Sequence, residues 1–361
     1  MKRLIACILA LIMILSMTAC TKQQEAPAPT EETKPASVPV PVEPAKKVIH
    51  VLVPADTAGW QTKAAAAAAE AAETIKAAGK YDTVVSTYTD AAAQRKLLED
   101  LAAQSTKDGS LSVVLMPAAA DMDDVLAKLL EANVSYALAK TIPEAAAAAS
   151  LTNVSYDQQA IGAAVAAYMV QEGLTEDQRV VLIQGVSSEE ALRSEGFRLY
   201  LQGKLSHDGK LIETPWSSLN NIVYSEMEGQ TQESAEAYFT TYMQDAEHAD
   251  TKYIVAWEDI YVMGILSALN GENMDEDYKA EFLEGQPVVA TCGGSQAIVD
   301  VLADAAKNPF GKLQVAAYSA DLLKIAAEAM AAHFDGTVVP QENLQSVVWI
   351  NGENASQYQG Y

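Results

Sequence analysis

Residues 180–201 read VVLIQGVSSEEALRSEGFRLYL. The first part, Val180–Gln184, is a short run rich in β-branched residues, which is typical of a buried strand. After Gly185 the stretch Glu189–Leu201 has the apolar spacing of a helix. This strand–helix unit recurs from residue 48 to residue 350, and the alternation predicts an α/β fold with parallel sheets.

The alternation falls into two runs of similar size. One begins with the strand Val48–Val53, and the other restarts after Asp157. We therefore predict two doubly wound lobes, with ligands bound where the carboxyl ends of the strands face the cleft. A single last strand is expected over Leu344–Ile350. The acidic string Asn273–Asp277 is interpreted as a solvated loop, because Tyr278 stands where a calcium loop needs glycine.

The amino terminus has the pattern of an export signal. It begins with the basic sequence MKR, continues with the apolar run Leu4–Ala19, and reaches Cys20 after small residues. Residues 1–19 resemble a lipoprotein signal peptide, with cleavage before Cys20 and a lipid on its thiol. An ordinary signal peptide or an anchor helix is the alternative. We predict an extracytoplasmic protein that is lipid-anchored to the cell membrane.

Residues 20–47 are expected to form a tether. Six of the chain's 13 prolines lie here, no aromatic residue does, and acidic residues balance lysines. Such a segment buries too little apolar surface to offset the entropy of ordering it. The sequence therefore predicts a folded body, from about residue 48 onward, that is held near a membrane.

The chain is strongly acidic, with 48 Asp and Glu residues against 24 Lys and Arg residues and a formal net charge of −24. This charge disfavours nucleic acid and anionic lipid head groups as partners. Cys7 and Cys20 belong to the signal region, so Cys292 alone remains in the body and no intrachain disulfide is available there. Stability must come from burial of a core.

The sequence carries no signature of catalysis. Its four histidines stand far apart, and it has no zinc-ligand spacing, no Gly-x-Ser-x-Gly elbow and no phosphate-binding loop. Cys292 is interpreted as a small buried thiol, because no histidine is near it in sequence. We therefore predict a protein that is not an enzyme and that uses neither a cofactor nor a metal.

Four stretches resemble the type I periplasmic binding proteins of the ribose- and galactose-binding branch. They are VSYDQQAIGAAVAAYM (Val154–Met169), the opening stretch Val180–Leu201, YIVAWEDIYVMGILSALNG (Tyr253–Gly271) and NLQSVVWINGENASQY (Asn343–Tyr358). The resemblance covers essentially the whole body. It implies two lobes joined by a three-stranded hinge, lobe 1 comprising residues 48–155 plus 319–345 and lobe 2 comprising residues 156–318 plus 346–361.

The resemblance also implies positions for ligand-binding residues. Trp60 stands where the family places an aromatic residue against the ligand, and Arg193 where an arginine binds ligand oxygens. Trp257 and Glu258 end a strand at the cleft, and Asp259 there is expected to cap the next helix or to touch the ligand. Two of these residues have a purely structural alternative. Trp60 could be a core residue, and Arg193 could be a solvated residue on a helix surface.

Five further residues are predicted to bind the ligand. Asp90 and Gln94 follow the second strand, where capping and ligand binding compete. Lys140 stands where the family has an acid, Glu228 falls near an aromatic position of lobe 2, and Tyr318 falls near a hinge glutamine. Lys140 and Glu258 depart from the family pattern, and an aspartate expected from that pattern is replaced within Cys292–Gly294. The class of ligand therefore stays open.

The predicted function is capture of a small polar solute, a sugar or sugar-like compound, by a monomer that delivers it to the permease of an ABC importer. One alternative is a ligand-sensing lipoprotein that signals to a membrane receptor. The other is a surface hydrolase that uses Glu228 and Glu258 as an acid–base pair.

Overall fold

In a computed structural model the protein is described over residues 46–55, 59–227 and 229–361. Ala45–Tyr361 form one compact unit. The described residues form twelve strands: β1 (Val48–Pro54), β2 (Asp82–Tyr88), β3 (Leu111–Leu115), β4 (Ser135–Ala139), β5 (Asn153–Tyr156), β6 (Val180–Gln184), β7 (Ile222–Glu226), β8 (Tyr253–Ala256), β9 (Val288–Gly293), β10 (Lys312–Ala317), β11 (Glu342–Gln345) and β12 (Val348–Ile350).

The strands form two six-stranded sheets, one with the order β11-β5-β4-β3-β1-β2 and one with the order β12-β10-β9-β8-β6-β7. Every pairing is parallel except that of β10 with β12. The predicted fold class is therefore confirmed, because each sheet with its helices forms one doubly wound lobe.

Eleven α-helices flank these sheets in the described residues. They are α1 (Trp60–Ala77), α2 (Ala91–Gln104), α3 (Asp123–Glu131), α4 (Glu144–Ala147), α5 (Gln158–Gln171), α6 (Ser188–Leu201), α7 (Gln232–Tyr242), α8 (Asp259–Asn270), α9 (Glu276–Glu284), α10 (Gln296–Ala303) and α11 (Leu322–Phe334). No helix in the described residues has the length and apolar character that crossing a membrane requires.

The chain passes between the two sheets three times: from β5 to α5, from β10 to α11 and from β11 to β12. The first two passages leave from the carboxyl ends of parallel strands. These ends are the usual ligand edge of an α/β sheet. The connectivity therefore brings the ligand edges of both lobes to the same cleft.

The predicted last strand over Leu344–Ile350 is wrong as a single element. The structure has β11 beside β5 in the first sheet and β12 beside β10 in the second, with Ser346 and Val347 between them. The apolar run is continuous in sequence, but the chain changes lobes within it. Periodicity alone cannot mark such a change of sheet, whereas the family resemblance implied a lobe boundary between residues 345 and 346.

The acidic string 273–277 is also more ordered than predicted. Asp275 accepts hydrogen bonds from the backbone nitrogens of Asp277 and Tyr278 and so caps α9. A carboxylate at this position satisfies amide groups that a helix start leaves unpaired. Its role is structural, and no group of His, Cys, Asp or Glu in the described residues is arranged to hold a metal ion.

Helices α5 and α6 approach each other closely because glycine stands at both contact points. A Cβ atom at Gly162 would lie 1.9 Å from the carbonyl oxygen of Arg193, and one at Gly196 would lie 2.0 Å from that of Gln159. No real Cβ atom occupies such a position against backbone. This contact between the helices fixes where Arg193 of α6 lies relative to the first residues of α5.

We expect Gly196→Ala to force these helices apart and to lower the free energy of unfolding by about 1–3 kcal/mol, the usual effect of overpacking. Urea unfolding followed by circular dichroism measures the change. Gly352→Ala is the matched control, since a Cβ atom there would make only an ordinary contact, 3.5 Å from the Leu302 oxygen. Equal midpoints for the two variants would contradict the assigned close packing.

Candidate ligand-binding site

A cavity of about 140 Å³ lies between the lobes. Both sheets contribute to its wall through residues at the ends of their strands and the starts of the following helices. The lining residues are Trp60, Lys140, Tyr156, Gln158, Glu189, Arg193, Glu258, Tyr318 and Tyr361. Aromatic rings, two cations and two carboxylic acids thus share one small, partly open cavity.

Arg193 is the most buried charged group in this wall. Its side chain is 1 % exposed. Its Nε donates to Gln158 Oε1 at 2.7 Å, and its Nη1 donates to the Trp257 carbonyl oxygen at 2.6 Å and to Glu258 Oε1 at 2.8 Å. A buried guanidinium requires such partners, because loss of water otherwise disfavours the charge.

The other terminal nitrogen of Arg193 is less fully engaged. Nη2 lies 3.6 Å from Glu189 Oε2, which is longer than a hydrogen bond. Glu189 belongs to the same helix, one turn earlier, and its side chain is 33 % exposed. The guanidinium is therefore oriented by three acceptors on one side and faces a carboxylate of the cavity wall on the other.

Glu258 has an unusual environment for an acid. Burial raises its pKa to about 7, and the charge and hydrogen bond of Arg193 act in the opposite direction. Its side chain retains 31 % exposure through the cavity. The protonation state of this carboxyl therefore changes near neutral pH, and with it the charge of the cavity.

Two aromatic residues, one at the start of α1 and one at the end of β5, converge on one carbonyl oxygen at the passage from β10 to α11. Trp60 Nε1 donates to the Ser319 oxygen at 3.1 Å, and Tyr156 Oη donates to the same oxygen at 2.9 Å. The Lys140 ammonium lies 4.8 Å from the centroid of a Trp60 ring, within cation–π range. These contacts fix the aromatic wall on the lobe 1 side.

Tyr318 lies at the same passage, between the aromatic wall and the arginine. Its ring is 5.0 Å from that of Tyr156 and 5.2 Å from the Arg193 guanidinium carbon. Its hydroxyl oxygen is buried and makes no hydrogen bond to the described residues. Burial raises the pKa of Tyr318 well above its ordinary value, so the phenol stays neutral.

Behind this wall lies Cys292, a free and buried cysteine. Burial raises the pKa of its thiol to about 11, with a weaker opposing effect from Arg193. A thiol in this state is a poor nucleophile at neutral pH, because the thiolate is the reactive form.

Of the residues proposed from sequence, five line the cavity: Trp60, Lys140, Arg193, Glu258 and Tyr318. Three do not. Asp90 caps α2 by accepting from the Ala93 nitrogen, and buried Gln94 spans the Met116 oxygen and the Ala118 nitrogen. Trp257 is fully buried. Its indole donates to Ser194 Oγ, and its carbonyl oxygen accepts from Arg193, so Trp257 helps to position the arginine without lining the cavity.

Four lining residues were not expected from sequence: Tyr156, Gln158, Glu189 and Tyr361. Gln158 and Glu189 lie in the first turns of α5 and α6, immediately after strand ends or capping residues, and this position is the signal that could have identified them. Glu228 lies outside the described residues, as do Cys20, the signal segment 1–19 and all but the last two residues of the expected tether 20–47.

Asp259 has a role that neither sequence alternative anticipated. It is the first residue of α8, and its Oδ2 accepts hydrogen bonds from the backbone nitrogens of Gly294 and Ser295, at 3.0 Å and 2.6 Å. The side chain therefore ties the loop after β9 to the start of α8. Glu258, the residue immediately before α8, lines the cavity.

The sequence matches the model of a known protein family. Residues 49–338 match the family described as the periplasmic binding protein domain. The chain belongs to this family. The resemblance noted in the sequence is thereby confirmed, and no match was found among curated proteins.

Solved structures share the fold at low sequence identity. A periplasmic ribose ABC transporter protein from Conexibacter woesei superposes with a TM-score of 0.65 at 16 % identity, covering 86 % of this chain and 94 % of that one. A solute-binding protein from Actinobacillus succinogenes with bound D-allose gives 0.62 at 15 %, covering 87 % and 100 %.

A putative LacI transcriptional regulator from Bacteroides fragilis is also similar, with a TM-score of 0.60 at 15 % identity over 87 % of this chain and 100 % of that one. At these identities the comparisons show the fold, which is the two-lobed fold of type I periplasmic binding proteins. The same architecture thus occurs in transport proteins and in a protein described as a regulator.

The raised pKa of Glu258 makes a pH-dependent stability difference testable. Between the ordinary carboxyl pKa and about 7, the folded state holds a proton that the unfolded state has lost. This contribution to the free energy of unfolding is fully present below pH 4.5 and is lost as pH rises towards 7. The wild type should therefore lose stability relative to Glu258→Gln across this window.

Urea unfolding of both proteins at several pH values between about 4.5 and 7.5 measures the difference. Glu353→Gln, at an exposed residue remote from the cavity, is the control and should run parallel to the wild type. A Glu258→Gln curve that also runs parallel would contradict the raised pKa.

Proposed function

We propose that this chain is an extracytoplasmic solute-binding protein that captures a small polar ligand, a sugar or sugar-like compound, in the cavity between its lobes. Lipid anchoring through Cys20 and delivery of the solute to an ABC importer complete the proposal. The observation that carries it is the interlobe cavity, whose wall combines a fixed guanidinium with aromatic rings.

The wall suits a solute with polar groups on an otherwise compact frame. Trp60 and the neighbouring tyrosines offer flat apolar faces, while Arg193 Nη2, Lys140 and Glu258 offer hydrogen-bonding groups of both signs. A purely apolar ligand would displace water from these charged groups without offering them hydrogen-bonding partners, which is unfavourable. The ligand should therefore present several hydroxyl, carboxyl or amino groups.

Family membership and the fold of the neighbours support a binding role. The solved proteins described above include transport components and one protein with bound D-allose. A second candidate is a ligand-sensing lipoprotein that signals to a membrane receptor, and its only support here is that the same fold occurs in a protein described as a regulator. Genes for a permease and an ATPase beside the gene for this chain would favour transport, and a sensor kinase gene would favour sensing.

A thermal-shift screen of residues 46–361 tests solute capture. The panel is D-ribose, D-allose, L-arabinose, myo-inositol, uronic acids, nucleosides and amino acids. A solute present at a hundred times its Kd stabilises the folded state by about 2.7 kcal/mol, so it should raise Tm by several degrees. A flat response to the whole panel by well-folded protein would contradict capture of a sugar-like solute.

We expect Trp60→Ala to weaken binding of any solute found in the screen by about tenfold, because one aromatic face of the cavity is lost. Isothermal titration calorimetry with that solute measures the effect. Trp349→Ala is the matched control, since Trp349 lies in lobe 2 away from the cavity lining. Equal losses in the two variants would place the binding site elsewhere.

Lipid anchoring has its own test in cells that express the full chain. Cells fed an alkyne fatty acid should label the wild type, and Cys20→Ser should abolish the label because the acceptor thiol is gone. Cys7→Ser is the control and should still be labelled. Label that persists in Cys20→Ser would rule out Cys20 as the lipid site.

A further inference from the structure

The last four residues of the sequence, Tyr358–Tyr361, run along the loop that follows β9 in lobe 2. The Tyr361 nitrogen donates to the Gly294 oxygen at 3.2 Å, and the Tyr361 oxygen accepts from the Gln296 nitrogen at 2.9 Å. Gly360 lies so close to this loop that a Cβ atom would stand 2.4 Å from the Gln296 nitrogen. The segment is thus docked on lobe 2 through its backbone.

The same residues also contact lobe 1. The Lys63 ammonium donates a hydrogen bond to the Gly360 oxygen. The Tyr361 ring lies beside Gly59, where a Cβ atom would be 3.6 Å from ring atom Cδ2. Gly59 and Lys63 flank the start of α1, the helix that places Trp60 in the cavity wall.

The attachment to lobe 2 is stiffer than the attachment to lobe 1. The loop that receives Tyr361 is itself held by Asp259, which accepts from the Gly294 and Ser295 nitrogens. On the lobe 1 side the described residues provide one hydrogen bond from a long lysine side chain, and the Cδ2–Cε2 edge of the Tyr361 ring lies beside Gly59. A separation of the lobes would therefore break the lobe 1 contacts and leave the segment on lobe 2.

Tyr361 also forms part of the cavity wall. Burial raises the pKa of its phenol above the ordinary value, so the group is neutral where it meets the cavity. The segment consequently joins two features that sequence alone does not connect: the wall of the cavity and the junction between the lobes.

We propose that residues 358–361 act as an interlobe strap, which holds the two lobes together across the cavity through the Lys63–Gly360 hydrogen bond and through the Tyr361 ring that lies beside Gly59. The strap itself requires no solute. Its consequence for binding, slower release of a captured solute past Tyr361, rests on the proposed function.

The test measures the distance between the lobes in the absence of added solute. Spin labels on cysteines introduced at exposed Gln104 of lobe 1 and exposed Gln244 of lobe 2 report it by pulsed electron paramagnetic resonance, in residues 46–361. Cys292 is buried and free, so a sample without the introduced cysteines checks for background labelling.

We expect Lys63→Met and Tyr361→Ala each to raise the ratio of long to short interlobe distances about tenfold, the effect of losing one charged hydrogen bond or one buried contact. Gln359→Ala, an exposed side chain in the same segment, is the matched control and should leave the ratio unchanged. Tyr361→Phe keeps the ring and should also behave as the wild type.

A distance distribution that stays the same in Lys63→Met and Tyr361→Ala would overturn the strap. If Tyr361→Ala unfolds the protein, Lys63→Met decides, because lysine makes its contact from the surface of α1. Failure of every solute in the thermal-shift panel would count against the proposed function alone, since the interlobe distances are measured without solute.

Discussion

The enclosed charge of Arg193 is the constraint on which the site depends. A guanidinium with 1 % exposure must be supplied with acceptors by the fold, because water cannot reach it. The acceptors come from three separate elements: the start of α5, the end of β8 and the start of α8. Misplacement of any one of them would leave a buried positive charge without compensation.

The close packing of α5 on α6 serves the same constraint. Glycine at positions 162 and 196 lets the two helix backbones touch, and this contact brings Gln158 within 2.7 Å of the Arg193 Nε. Trp257 makes two further hydrogen bonds to α6. Its indole nitrogen donates to Ser194 Oγ, and its carbonyl oxygen accepts from Arg193 Nη1. The contacts of these elements of lobe 2 therefore converge on Arg193, which lines the cavity although its side chain is only 1 % exposed.

Much of the fold could be read from the sequence, because short β-branched runs and amphipathic stretches each have their own period. Strand β6, for example, has the bounds predicted for it. The site was harder to predict, because a polar residue that follows a strand can either cap the next helix or line a ligand site. Asp90 and Glu258 occupy similar sequence positions, yet one caps a helix and the other lines the cavity. Tyr361 reaches the cavity only through tertiary contacts, for which no local pattern exists.

The shared hydrogen bonds of Trp60 and Tyr156 have an optical consequence. Both side chains donate to the Ser319 carbonyl oxygen, which lies where the chain passes between the lobes. Two of the other three tryptophans, Trp216 and Trp257, are buried in the core of lobe 2 and keep their surroundings when the lobes move as bodies. The fourth tryptophan, Trp349, lies in β12 beside another passage between the lobes. Once Trp349 is replaced by phenylalanine, the emission of Trp60 should report lobe movement without an attached label.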